Sequence, residues 1–79
     1  MLDYIKIRVN CPAHSEKIQK LLIKAGFNWA IGRGCHYTDQ PYLYTTRRVI
    51  EYSDEYSLDF FLQDRSREVT LKDIIKLSK

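Results

Sequence analysis

Two pairs of residues of the kinds that hold zinc stand out, Cys11 with His14 and Cys35 with His36, and Cys-x-x-His can chelate across one turn. The second pair works against a shared site. Adjacent side chains on an extended chain point to opposite sides, so Cys35 and His36 would need a knuckle-like loop to reach one ion. The plainer alternative is two small buried hydrophobes and two surface histidines. As nucleophile and base, Cys35 with His14 or His36 has no third orienting group at a telling spacing. G-x-S-x-G, P-loop, H-E-x-x-H and dinucleotide glycine patterns are missing from the sequence. These residues point to a non-enzyme with no cofactor and no metal ligands, a small zinc-binding module being the alternative.

The chemistry that remains is recognition. Six of the ten aromatic residues are Tyr, and Tyr, Trp and Arg are the types that dominate binding hot spots. Gly32-Arg33-Gly34 sets backbone freedom beside a cation, which suits a phosphate if the loop N–H groups converge and is otherwise a flexible turn. Arg47 and Arg48, flanked by Tyr42, Tyr44 and Tyr52, combine guanidinium forks with stacking faces of the sort single strands or nucleotides use, or else form a solvated strand surface. The candidate binding residues are therefore Trp29, Arg33, His36, Tyr37, Tyr42, Tyr44, Arg47 and Arg48.

Regular elements must position them. Residues 14–25 carry Ile18, Leu22 and Ala25, with Leu21, on one side of a helix, while Lys17, Gln19, Lys20 and Lys24 fall toward water. His14 or Ser15 is the expected cap and Glu16 a first-turn acid, and Gly26 offers a left-handed stop with Phe27 closing back on Leu22. Residues 3–9 alternate as a half-buried strand, and residues 27–31 are a second strand anchored by Trp29. A ten-residue connection, 32–41, is long enough to be functional or mobile. Residues 42–52 are β-prone throughout, as one strand or as two joined at Thr45-Thr46-Arg47-Arg48. Residues 56–62 alternate as a strand with Tyr56, Leu58, Phe60 and Leu62 inward, residues 64–68 form a charged loop, and Thr70 with Asp73 opens a short helix over 71–77. The expectation is an α+β two-layer sandwich, order β-α-β-β-β-α. Its sheet has about four strands, mixed but mostly antiparallel, with both helices on one face. Strands 3–9 and 29–31 should run parallel, adjacent or with one strand between them.

Length and charge set the bounds. A chain of 79 residues has room for a single domain, 1–79, and buries only about 60% of its unfolded surface. Nothing approaches the roughly 18 apolar residues of a membrane span, and the N-terminal stretch holds Asp3, Lys6 and Arg8 where a signal peptide would be apolar. A cytoplasmic protein with no membrane partner is expected. The net charge of +3 mildly favours anionic partners without defining them. An edge strand at 42–52 leaves a homodimer open.

A first strand ending near Pro12, a helix closing on Ala25-Gly26-Phe27-Asn28-Trp29, the tyrosine-rich Tyr42-Leu43-Tyr44 and a late Glu68-Val69-Thr70-Leu71 together resemble short accessory proteins of tailed bacteriophages. These belong to the host-takeover or anti-defence type. The likeness spans most of the chain and rests on structural motifs. It implies a non-catalytic protein acting in the host cytoplasm that binds and inhibits, or redirects, a host protein. Binding of nucleic acid or of a signalling nucleotide is the alternative.

Overall fold

The computed structural model describes residues 2–77. Strand β1 (Ile5–Arg8) hands over to helix α1 (Pro12–Lys24) at Cys11, which is extended and caps without a side-chain bond. Pro12 has no N–H to satisfy and a φ already suited to a first turn, so the helix opens earlier than the expected caps. His14 and Ser15 therefore lie inside it. The His14 Nδ1 accepts the Asn10 N–H at 3.1 Å, and Glu16, displaced from the first turn, pairs with Lys20 at 2.9 Å one turn on. At the other end Gly26 has φ +104°, the Gly26 N–H donates to Ile23 O and the Phe27 N–H to Leu22 O. That is the glycine-terminated closure the sequence indicates.

After β2 (Asn28–Trp29) and the long connection, residues 42–53 resolve into two strands, β3 (Tyr42–Thr45) and β4 (Val49–Ser53), joined at a tight turn in which Arg48 has φ +60°. A fifth strand, β5 (Arg67–Glu68), lies in what the sequence presents as a charged loop. Its register is set by the backbone: Arg67 N–H donates to Tyr4 O and Val69 N–H to Lys6 O. The sheet thus has five strands in the order β2-β4-β3-β1-β5. Its β1–β3 and β3–β4 pairs are antiparallel and its β1–β5 and β2–β4 pairs parallel, rather than mostly antiparallel. β1 and β2 do run in the same direction, but two strands separate them, because the β3–β4 hairpin inserts as a unit.

One face carries Ile5, Ile7, Leu43 and Ile50, which meet Ile18 and Leu22 of α1 and Ile74 of α3 (Leu71–Leu77) in one buried cluster with Phe27, Trp29 and Val69. The two expected helices therefore do share a face. Thr70 and Asp73 form the reciprocal cap, the Asp73 carboxylate accepting the Thr70 N–H at 2.9 Å. That bond, with the Thr70 hydroxyl, holds the Asp73 carboxyl below its ordinary value.

The expected strand at 56–62 is instead a third helix, α2 (Leu58–Gln63), so the fold is α+β with three helices and a sheet covered on both sides. Asp54 accepts the Tyr56 N–H and the Ser57 hydroxyl, and Phe61 N–H donates to Ser57 O, which turns the chain into a helix where alternation alone would allow a strand. The inward residue is then Phe61, completely buried, while Phe60 is 59% exposed. Phe61 stacks on Tyr42, ring centroids 4.7 Å apart, and the Lys6 Nζ lies over the Phe61 ring, 4.8 Å from its centroid. The buried Lys6 ammonium donates to the carbonyls of Phe61 and Asp64 at the end of α2, an arrangement that satisfies both the cation and the helix terminus. Among the described residues no helix is long and apolar enough to cross a membrane.

The adjacent phenylalanines separate the two conformations. Phe61→Ala should cost about 3–5 kcal/mol in denaturant unfolding and Phe60→Ala no more than about 1 kcal/mol. A strand with its even-numbered side inward would give the reverse order.

Candidate functional site, an aromatic groove

Helix α1 places a polar pair, Ser15 and Gln19, on the same stripe as Ile18 and Leu22, and Gln19 is fully buried rather than facing water. Its amide uses its whole hydrogen-bonding capacity. The Oε1 accepts the Trp29 indole N–H at 2.7 Å and the His36 backbone N–H at 3.0 Å, and the Nε2 donates to His36 O at 2.8 Å and Ser15 Oγ at 2.9 Å. One side chain thereby joins the helix, strand β2 and the long connection. His36 is further held by a ring contact, its Nε2 lying 3.1 Å from Arg33 O.

With His36 fixed, Tyr37 adopts a left-handed backbone, φ +51°, which non-glycine residues take only when their surroundings impose it. Its ring stacks on Tyr52 of β4 at 4.2 Å and 21° and lies 5.2 Å from Trp29. Trp29 itself is buried, in line with its role as an anchor. The chain turns between Trp29 and Gly32, which are joined by a bridge, leaving Ile31 64% exposed. Trp29, Ile31, Tyr37, Val49, Glu51 and Tyr52 then line an open groove of about 280 Å³. Its walls are apolar, and the Glu51 side chain, paired with Tyr44 in the ladder, turns to the opposite sheet face.

Of the eight candidate binding residues, the fold assembles Trp29, His36 and Tyr37. Arg33 and Arg48 are exposed nearby in sequence, but the Arg48 guanidinium lies over the end of α1, its Nη1 2.8 Å from where a Cβ on Gly26 would stand. Arg47 reaches across to Tyr4, Nε to hydroxyl 3.3 Å. Tyr42 and Tyr44 point to the opposite sheet face. Tyr44 is buried there, its hydroxyl 2.7 Å from Ser53 Oγ, and burial raises its phenol above the ordinary value. It is a structural residue. Ile31, Tyr52 and Gln19 are the members the sequence reading missed; the signal for Gln19 was present in the spacing of Ser15, Ile18, Gln19 and Leu22.

The chain matches no known family, no characterised protein and no solved structure. The four zinc-type residues do not assemble: among the described residues no three of His, Cys, Asp or Glu come together as a metal would require. Cys11 is exposed, and the Cys35 Sγ lies 3.9 Å from Glu16 O. Burial, and secondarily the Glu16 carboxylate, push the Cys35 thiol up, the opposite of what a nucleophile needs.

Replacing Gln19 tests the anchor. Gln19→Leu fills the space yet strands the Trp29 indole N–H and both backbone groups of His36, and should cost about 2–4 kcal/mol in urea unfolding. The emission of Trp29, the single tryptophan, should shift to the red, while Lys20→Leu on the exposed side leaves both readouts near wild type.

Proposed function

We propose that this protein is a non-catalytic accessory protein, of the kind tailed bacteriophages encode, which binds a host protein in the cytoplasm and inhibits or redirects it. The observation that carries the reading is the preorganised aromatic groove. Tyr37 and Tyr52 are stacked and held before any partner arrives, so little conformational entropy remains to be lost on binding. An open apolar groove edged by an exposed isoleucine suits an aromatic or branched side chain projecting from a partner surface.

A nucleotide draws less support from the same geometry. The tyrosines stack on each other at 4.2 Å, which leaves no slot for a base between them, and none of the residues lining the groove is a Lys or Arg that could meet a phosphate. Arg47 and Arg48 are turned to Tyr4 and to the end of α1.

Affinity purification from bacterial lysate tests the reading. Wild-type bait should retain a stoichiometric protein that Tyr37→Ala and Ile31→Asp baits lose, with affinity falling by roughly 30-fold or more for a hot-spot residue. A wild-type eluate with no such protein, or one absorbing at 260 nm, would favour the nucleotide alternative.

A further inference from the structure

The sheet face opposite the groove is closed by α2, which presents an apolar surface of its own to solvent. Tyr56 is 88% exposed, and Leu58, Phe60 and Leu62 are exposed with it. Leu58 and Leu62, one turn apart, stand on one flank of α2 and Phe60 on the other, with Tyr56 just before the helix, so exposed apolar surface of the kind that marks an interaction site straddles it. Two grooves flank it. One, of about 160 Å³, lies between Phe60 and Tyr44 with Glu51 and Asp64 at its rim. The other, of about 320 Å³, sets Asp39, Asp54 and Glu55 beside Tyr56 and Pro41.

Charge defines what fits there. Residues 51–64 contain five carboxylates and no Lys or Arg, whereas the rest of the chain holds all thirteen Lys and Arg against the other five carboxylates. The cations packed beneath α2 are already engaged: Arg8 lies over the Phe61 ring and pairs with Glu68 at 3.1 Å, and Lys6 is bonded to the carbonyls of Phe61 and Asp64. Arg65 opens the basic stretch beyond the helix. The chain therefore carries an acidic, aromatic surface on an otherwise cationic body.

We infer that the α2 face docks a cationic amphipathic segment of a partner protein, one whose apolar side chains are flanked by Lys or Arg. The apolar residues seat on Tyr56, Leu58, Phe60 and Leu62, and the cations meet the carboxylates along the two flanking grooves, with cation–π contact to Phe60 and Tyr56 available. The body of the protein, being positive, repels the same segment, so attraction is confined to this face. The inference does not rest on the groove at Tyr37, which lies on the other side of the sheet.

Titrating the isotope-labelled full chain with two synthetic amphipathic peptides of one pattern, Leu with Lys and Leu with Glu, tests it. The Leu/Lys peptide should bind roughly tenfold or more tighter than the Leu/Glu peptide, shift amide resonances of residues 54–64, and weaken as salt is raised. Phe60→Ser and Leu62→Ser should lose the binding while unfolding as cooperatively as wild type, paired Glu55→Lys and Asp59→Lys should weaken it roughly tenfold, and Tyr37→Ala should leave it unchanged. Equal binding of both peptides, shifts confined to residues 29–37, or indifference to Phe60→Ser would overturn the proposal. So would a chain that sediments alone as a dimer dissolved by Asp59→Lys, since a second copy would then be the occupant.

Discussion

The buried amide of Gln19 is the constraint on which the aromatic groove depends. Four hydrogen bonds converge on one side chain in the interior, and an unmet partner there carries its full desolvation cost, so the helix, the indole of Trp29 and the backbone of His36 are fixed as a set. The long connection after Gly32 thus behaves as part of the core at His36 and as surface one residue later. Tyr37 inherits its position from that anchor. Its left-handed backbone and its stacking on Tyr52 are what a pinned predecessor imposes, and the groove beside Ile31 follows from them.

On the second sheet face the corresponding device is Lys6. An ammonium buried beneath a six-residue helix is tolerable only because the carbonyls ending that helix accept its protons. A helix this short has little stability of its own, and Phe61, stacked between Tyr42 and the cations of Lys6 and Arg8, supplies the tertiary contact that holds it. The outward side of α2 is left apolar and acidic by the same sequence that turns Phe61 inward.

Where local chemistry has one solution, the sequence was readable. The Gly26 closure of α1, the Thr70–Asp73 cap, the alternation of Ile5 and Ile7 and the shared face of α1 and α3 all appear in the structure as the residue types demand. It was unreadable where two periodicities fit. Tyr56 to Leu62 alternates well enough for a strand, and only the Asp54 turn and the need to cover Lys6, Arg8, Tyr42 and Tyr44 decide for a helix. β5 is two residues long and polar, so nothing but its pairing with β1 reveals it. Of the aromatic cluster, Trp29, His36 and Tyr37 are legible as residue types. Gln19 is hidden because polar helix positions ordinarily face solvent, and Tyr44 reads as a surface residue because its partner, Phe61, sits on a helix that alternation conceals.

The fold joins a sheet covered on both sides to two exposed surfaces of different character, an aromatic groove held from within and an acidic apolar helix face. Preorganisation of the groove by Gln19 is its central claim, and amide and indole hydrogen exchange measured by NMR tests it most directly. The Trp29 indole N–H and the His36 amide should both be protected to a degree comparable with core amides such as Ile7, with ring-to-ring contacts between Tyr37 and Tyr52 in the free protein. Rapid exchange at His36 and the indole, or tyrosine rings that show no mutual contact, would contradict it.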